Sequence, residues 1–419
     1  MKVHIANDLP GRHIIQYVLQ LMAFNKGVEF SYVAQPHDAD LLIDSAADSD
    51  FVLDLAFYQK LTAGQHAKPK IDLPQTDLLA HIFYLVNCLQ EYNTETFDRY
   101  GRFPYLSSIQ QKEGLLHENT VQLLIDQLWS THHKLSHIKT ATRKSGFFLT
   151  HDIDTVYGAK NQNGAYALQH HKYFEIPRLL WNHYISTPDW INIDKIMAIE
   201  EQFGFKSAFY WLVYQDKLNA DYDIAGPVIQ KQLQTIRQKG FEIGLHKSLR
   251  SESFTTELQL LNKSVEGQRY HFLKFNLPEA WGDIEKSGLK LDTSLGFSED
   301  FGFRNSYGLP FMPFNIKENR VYDFIEVSMN VMDGNFFYNG KTVAQAEKLL
   351  IDWLDKNKEN TIITLNFHNN FFDRLQYKGY EELYITLLKY FKEEGFKPMQ
   401  QKDLIQEFYK PDLYKLSRH

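Results

Sequence analysis

From Gly146 onward the sequence alternates short apolar runs with helical stretches, and that order leaves few folds open. The run GFFLTHD is followed by the helical KIMAIEEQFG, the strand-like FKSAFYWLVY, the helical PVIQKQLQTIRQKG with its terminal Gly, and the strand-like FEIGLH. The rhythm continues through HFLKFNL, LKLDTSL, DFIEVSM, the helix VAQAEKLLIDWLDKNK, the strand NTIITLNFH and the helix EELYITLLKYFKEEG. Strands and helices in alternation predict a parallel sheet, wound or closed, with helices outside. About seven such strands suit a barrel better than a small open sheet.

Residues before the basic break KTATRKSG read differently. KVHIA, DLLIDS and FVLDLAF look like strands, and HIIQYVLQLMAF, LLAHIFYLVNCLQEY and TVQLLIDQLWSTHHKLSH like helices, with a polar stretch from Gly64 to Asp77 between them. A chain of 419 residues favours two parts, so a smaller mixed α/β domain over 1–140 is expected ahead of a barrel over 141–419.

The formal charge of −7 and the lack of a concentrated basic patch argue against nucleic acid or an anionic membrane surface as partner. Cys88 is the single cysteine, which points to a reducing compartment. Asp8, Pro10, Arg12 and His13 interrupt any leader-like apolar run, and no stretch approaches the roughly 18 apolar residues of a membrane span, so a cytoplasmic protein is expected. The aromatic share of 15% is assigned to the core before any sugar-stacking surface.

Asp152, Asp154, His246, Asp292 and His368 each fall at the C-terminal end of a strand-like run, the edge where parallel α/β folds build their chemistry. In HDID two carboxylates are separated by one residue and project to the same side, so one can bind a metal while the other takes a proton. His246 offers an imidazole to such a metal, and His368 a general acid. Each motif by itself also fits a strand end, a cap or a structural histidine.

Taken together and in this order, THDID, GLHKSLRS, RYHFLKFNLP, LDTSLGF and LNFH resemble the motifs of the polysaccharide deacetylase family, carbohydrate esterase family four, over roughly residues 146 to 400. EYNTETFDRYGRFP resembles a stretch found ahead of such domains in a bacterial subgroup with an uncharacterised leading domain. The resemblance implies a distorted (β/α) barrel with a metal-assisted deacetylase site. It implies Asp152 as catalytic base, Asp154 as metal-binding carboxylate, His246 as the first metal-binding histidine, Arg269 as the partner of the base, and His368 as general acid. It further implies that Asp292 helps to orient His368.

One position departs from the family pattern. Where a second histidine is expected, four residues after the first, stands Arg250, which cannot deprotonate to bind a metal. His271, two residues after Arg269, is the candidate replacement ligand; His151 is a poorer one because its side chain should point away from Asp152 and Asp154. In a metal-free alternative, Arg250 binds a substrate carboxylate or pairs with Asp154. Arg304, Glu326 and Asp333 are placed near the same rim, Arg304 as a substrate-binding candidate or as the buried partner of Glu326.

The expected function is removal of an acetyl group, N-acetyl before O-acetyl, from a carbohydrate or surface-polysaccharide precursor, assisted by a divalent metal, zinc first. The alternatives are a non-catalytic carbohydrate-binding protein on a degenerate barrel and a hydrolase of another non-peptide C–N bond.

Overall fold

The chain opens with a small parallel sheet in which β1 (Lys2–Ile5) lies between β2 (Ser31–Tyr32) and β3 (Leu41–Ile43). The computed structural model describes residues 1–46, 48–63, 76–92, 94–261 and 265–415. Helix α1 (Arg12–Lys26) buries Ile14, Ile15, Val18, Leu19 and Met22 and ends at Gly27, whose φ of 66° suits a residue without a Cβ. Then follow α2 (Leu55–Thr62), α3 (Leu78–Val86), α4 (Ile109–Lys112) and α5 (Thr120–Thr131), with α3 packed between α1 and α5. FVLDLAF is not a strand: Asp54 accepts a hydrogen bond from the Phe57 N–H and turns the chain into α2. Of the expected polar stretch, residues 64–75 lie outside the described residues.

The second part is built on β4 (Gly146–Ile153), buried along its whole length, as expected of a strand covered on both faces. After it come α6 (Ala159–Gln169), α7 (Glu175–Tyr184), α8 (Ile193–Phe203), β5 (Ala208–Trp211), α9 (Pro227–Gln238), β6 (Glu242–Lys247), α10 (Phe254–Leu260), β7 (Gly267–Tyr270), α11 (Glu279–Ser287) and β8 (Leu291–Asp292). A hairpin of β9 (Phe314–Asn315) and β10 (Arg320–Val321) precedes β11 (Ile325–Glu326), β12 (Val331–Met332), α12 (Gly334–Phe337), α13 (Val343–Lys356), β13 (Ile362–Asn366), α14 (Tyr380–Glu393), β14 (Lys397–Met399) and α15 (Gln401–Phe408).

The main sheet runs β11-β8-β7-β6-β5-β4-β13-β12, every pair parallel, and β14 joins β4 below β5. It is a curled, distorted barrel with helices outside, left open between β11 and β12. Nine strands replace the expected seven or so, because β12 and β14 lie in NVMDG and FKPMQ, where polar residues and a proline leave no apolar run for periodicity to register. HFLKFNL is likewise not a strand. The strand is GQRY just before it, and the apolar run forms a 3₁₀ turn with Phe272 and Leu273 at φ 56° and 51°.

One large hydrophobic core runs from Val3 through both parts to Phe408, with smaller clusters beside it. The segment EYNTETFDRYGRFP fastens one part to the other. Its Glu91 takes Arg304 in a two-pronged, buried ion pair at 3.0 and 2.7 Å, and its Arg102 donates to the Phe272 carbonyl at 3.1 Å and Ser298 Oγ at 2.7 Å.

Candidate metal-binding and catalytic site

Period-two geometry brings Asp152 and Asp154 to one side of the β4 end and sends His151 to the other. There His151 lies between the Phe367 carbonyl at 2.6 Å and Glu200 Oε1 at 2.8 Å, outside the site. Asp152 is clamped twice: Oδ1 accepts from Arg269 Nη1 at 2.7 Å, and Oδ2 from Asn366 Nδ2 at 2.9 Å. Arg269 is wholly buried and spends its remaining donors on the Thr293 carbonyl at 2.9 Å, Thr150 Oγ1 at 3.0 Å and Thr293 Oγ1 at 3.3 Å. Its guanidinium lies over the Tyr210 ring at 4.8 Å, and that ring has room only because position 244 is glycine: a Cβ there would fall 2.3 Å from it. Burial works against charge on Asp152, yet Arg269 first, then His246 and His368, bring its pKa below the ordinary value.

The neighbouring three donors converge. His246 Nε2 stands 3.3 Å and His271 Nδ1 3.5 Å from Asp154 Oδ1, and the two imidazole nitrogens are 3.0 Å apart. His246 Nδ1 faces the Arg269 carbonyl at 2.9 Å, which fixes that nitrogen as donor and turns Nε2 to the cluster. Zinc–nitrogen bonds of about 2.0–2.1 Å at a tetrahedral centre place neighbouring donors about 3.3 Å apart, the spacing seen here. Asp154 Oδ1 is shielded from water without a well-formed hydrogen bond, as an oxygen reserved for a cation would be. Burial opposes charge on Asp154, but His271, His246 and His368 hold it well below the usual carboxylate range. His271 is pushed down to about 4, chiefly by burial, and so keeps a neutral, coordinating imidazole. These residues fit a divalent cation with nitrogen and oxygen ligands.

His368 follows β13 and aims Nε2 at the same hollow, 4.0 Å from Asp152 Oδ2 and 3.8 Å from Asp154 Oδ2. Asp333 holds its other side, 2.9 Å from Nδ1 and 2.6 Å from the backbone N–H. Burial alone would lower the His368 pKa; Asp333, Asp154 and Asp152 overturn this and push it up to about 10.

Several expected placements are corrected. Asp292 does not orient His368; that contact belongs to Asp333. Asp292 sits among Gln268, Ser294 and the carboxyl of Glu326, its counterpart on β11, and is raised to about 6 by burial. Glu326, also buried and facing Asp292, is raised further and accepts from Trp281 Nε1 at 3.0 Å. Arg304 neither reaches the rim nor meets Glu326, because Glu91 holds it in the interior. Arg250 does not pair with Asp154: it donates to Asp216 Oδ2 at 2.9 Å, lies over Tyr214 and lines a shallow cleft away from the cluster. Asn366 escaped the sequence reading, although it shares a strand face with His368 two residues on.

Residues 15–137 match the model of a family of unknown function (DUF7033). No curated protein matches the sequence. Among solved structures, the chain is similar to a polysaccharide deacetylase from Bacillus cereus at 11% identity, covering 62% of this chain and 94% of that one, with a TM-score of 0.33. It is also similar to a peptidoglycan deacetylase from Bacillus subtilis (10%, 63% and 91%, TM-score 0.31) and a 4-alpha-glucanotransferase from Thermococcus litoralis (11%, 63% and 38%, TM-score 0.36).

Proposed function

We propose that this protein is a metal-assisted hydrolase that removes an acetyl group, N-acetyl in preference to O-acetyl, from a carbohydrate or surface-polysaccharide precursor. One observation carries it: a cation-sized triangle of Asp154, His246 and His271 beside an arginine-clamped carboxylate and a carboxylate-held imidazole. Asp154, His246 and His271 would hold the ion, zinc being the best match to two imidazoles and one carboxylate. Bound there, it supplies Lewis acidity to the acyl carbonyl and to an attacking water.

Asp152 stays ionised beside Arg269 and takes the proton of the attacking water. Arg269 and Asn366 fix its two oxygens, so the base meets the water in one orientation. His368 holds a proton on Nε2 because Asp333 keeps Nδ1 engaged, and it delivers that proton to the departing amine. Cytoplasmic residence goes with this function, since the single cysteine, Cys88, is buried and forms no bridge.

The test is acetate release from N-acetylated amino-sugar oligomers by full-length protein with zinc added and removed. Zinc-dependent acetate is the expected result; sugar binding with no acetate, or ring opening of a cyclic amide instead, would replace the proposal.

A further inference from the structure

Helix α7 is apolar on two faces. Ile176 and Leu179 turn inward to Ala167 of α6 and to Leu375. The other face carries Phe174, Pro177, Leu180, Trp181, Tyr184 and Ile185 in or flanking the helix, which at about 100° per residue fall within one arc of about 140°. All six are exposed, Phe174 at 99% and Trp181, Tyr184 and Ile185 each above 60%. An exposed aromatic stripe of this width marks a docking surface.

Charge selects the occupant. Glu175 and Asp189 are both engaged by Arg178, at 2.8 and 3.0 Å, whereas Lys160 and Lys172 have no carboxylate partner among the described residues and lie against the rings of Tyr184 and Tyr166. Three cations, Lys160, Lys172 and Arg178, thus stand against two carboxylates, so in a chain of net charge −7 this hairpin carries an excess of positive charge, with Lys160 directly on the aromatic stripe at Tyr184. Two copies docked face to face would set these lysines against each other, while an anionic lipid surface complements them. Whole-chain charge hides this, because the signal is aromatic first and basic second.

We propose that the α6–α7 hairpin docks on an anionic bilayer leaflet, with α7 lying in the interface, its aromatic face sunk among the lipids and Lys160 and Lys172 at the phosphates. The hairpin hangs on the loops that carry the site: it leaves β4 just after Asp154, Asn163 donates to Asp373 at 2.7 Å, and Asn369, next to His368, donates to the Thr155 carbonyl at 2.8 Å. Resting on the hydrolase proposal, this arrangement assigns the substrate class as an acetylated sugar carried on a lipid.

The experiment is co-sedimentation of the full chain with mixed phosphatidylcholine–phosphatidylglycerol vesicles, together with quenching of Trp181, the one exposed tryptophan of the six, by brominated lipid. The chain is expected to pellet with quenched fluorescence. Phe174→Ser with Trp181→Ser lowers partitioning by about tenfold or more, with thermal unfolding and acetate release from a water-soluble sugar unchanged. Lys160→Gln with Lys172→Gln weakens binding to the mixed vesicles but not to pure phosphatidylcholine. The docking proposal is overturned if the chain stays in the supernatant, if the serine variant pellets as well as the wild type, or if the serine changes abolish a concentration-dependent dimer that does not bind vesicles. Vesicle binding by a chain that releases no acetate from any sugar would break the hydrolase proposal and leave the docking intact.

Discussion

Two pairs of carboxylates stand at strand ends of the same sheet. Asp152 and Asp154 at β4 are ringed by Arg269, His246, His271 and His368, and both remain ionised despite burial. Asp292 and Glu326, on β8 and β11, are buried as deeply as Asp152, but their hydrogen-bonding neighbours are Gln268, Ser294 and Trp281, burial outweighs the pull of Arg269 on Asp292, and the pair retains a proton. Carboxyl groups at the same edge thus stand as two charges or as a pair sharing a proton according to how many cationic groups face them.

The contrast can be broken most forcefully at Asp152. Asp152→Asn is expected to cut zinc-dependent acetate release by about 10²–10⁴-fold. It is also expected to cost about 3 kcal/mol or more in chemical denaturation, because Arg269 loses its buried countercharge. Activity within a few-fold of wild type would remove Asp152 from the chemistry. Next in size, His271→Ala should weaken zinc binding by about 100-fold or more in chelator competition. Unchanged affinity would reduce the triangle to a hydrogen-bonded cluster.

A smaller effect is expected at Asp333. In metal-free protein the raised His368 pKa contributes stability that is complete below its ordinary value of about 6.5 and is lost as pH climbs through about 10. Asp333→Asn brings the upper end of that window down, read by NMR titration of the His368 ring, and moves the alkaline limb of activity the same way. The smallest change is expected at Glu326. Glu326→Gln should alter stability at about pH 4 by no more than about 1 kcal/mol and leave activity unchanged, since there an amide replaces a group uncharged in both the folded and the unfolded chain. Wild-type stability should fall as pH rises from the ordinary carboxylate range of about 4 through about 6, where the fold holds a proton that the unfolded chain releases. The variant should be flatter there, and an equal slope in both would dissolve the distinction between the two pairs.

The barrel's strand–helix order is readable because β4, β5, β6 and β13 are apolar runs with polar ends, and the rim positions of Asp152, Asp154, His246 and His368 follow from it. His271 is readable as a candidate only through its closeness to Arg269, since a 3₁₀ turn, not a strand, carries it to the cluster. Partnerships across long sequence separations are not readable: Glu91 and Arg304 lie 213 residues apart, and nothing local distinguishes Asp333 from Asp292 as the neighbour of His368. Nor does periodicity reveal that α7 wears its second apolar face outward, because burial is decided by what packs against a helix.

The strut from Arg102 to the Phe272 carbonyl ties the leading region to the turn that ends His271's own backbone, and Tyr100 stacks on the Phe272 ring. Together with Glu91 under Arg304, it makes the two halves of this gene poor candidates for separate inheritance. A barrel recombined behind another leader would carry a stranded guanidinium in its wall and a histidine on a loosened turn.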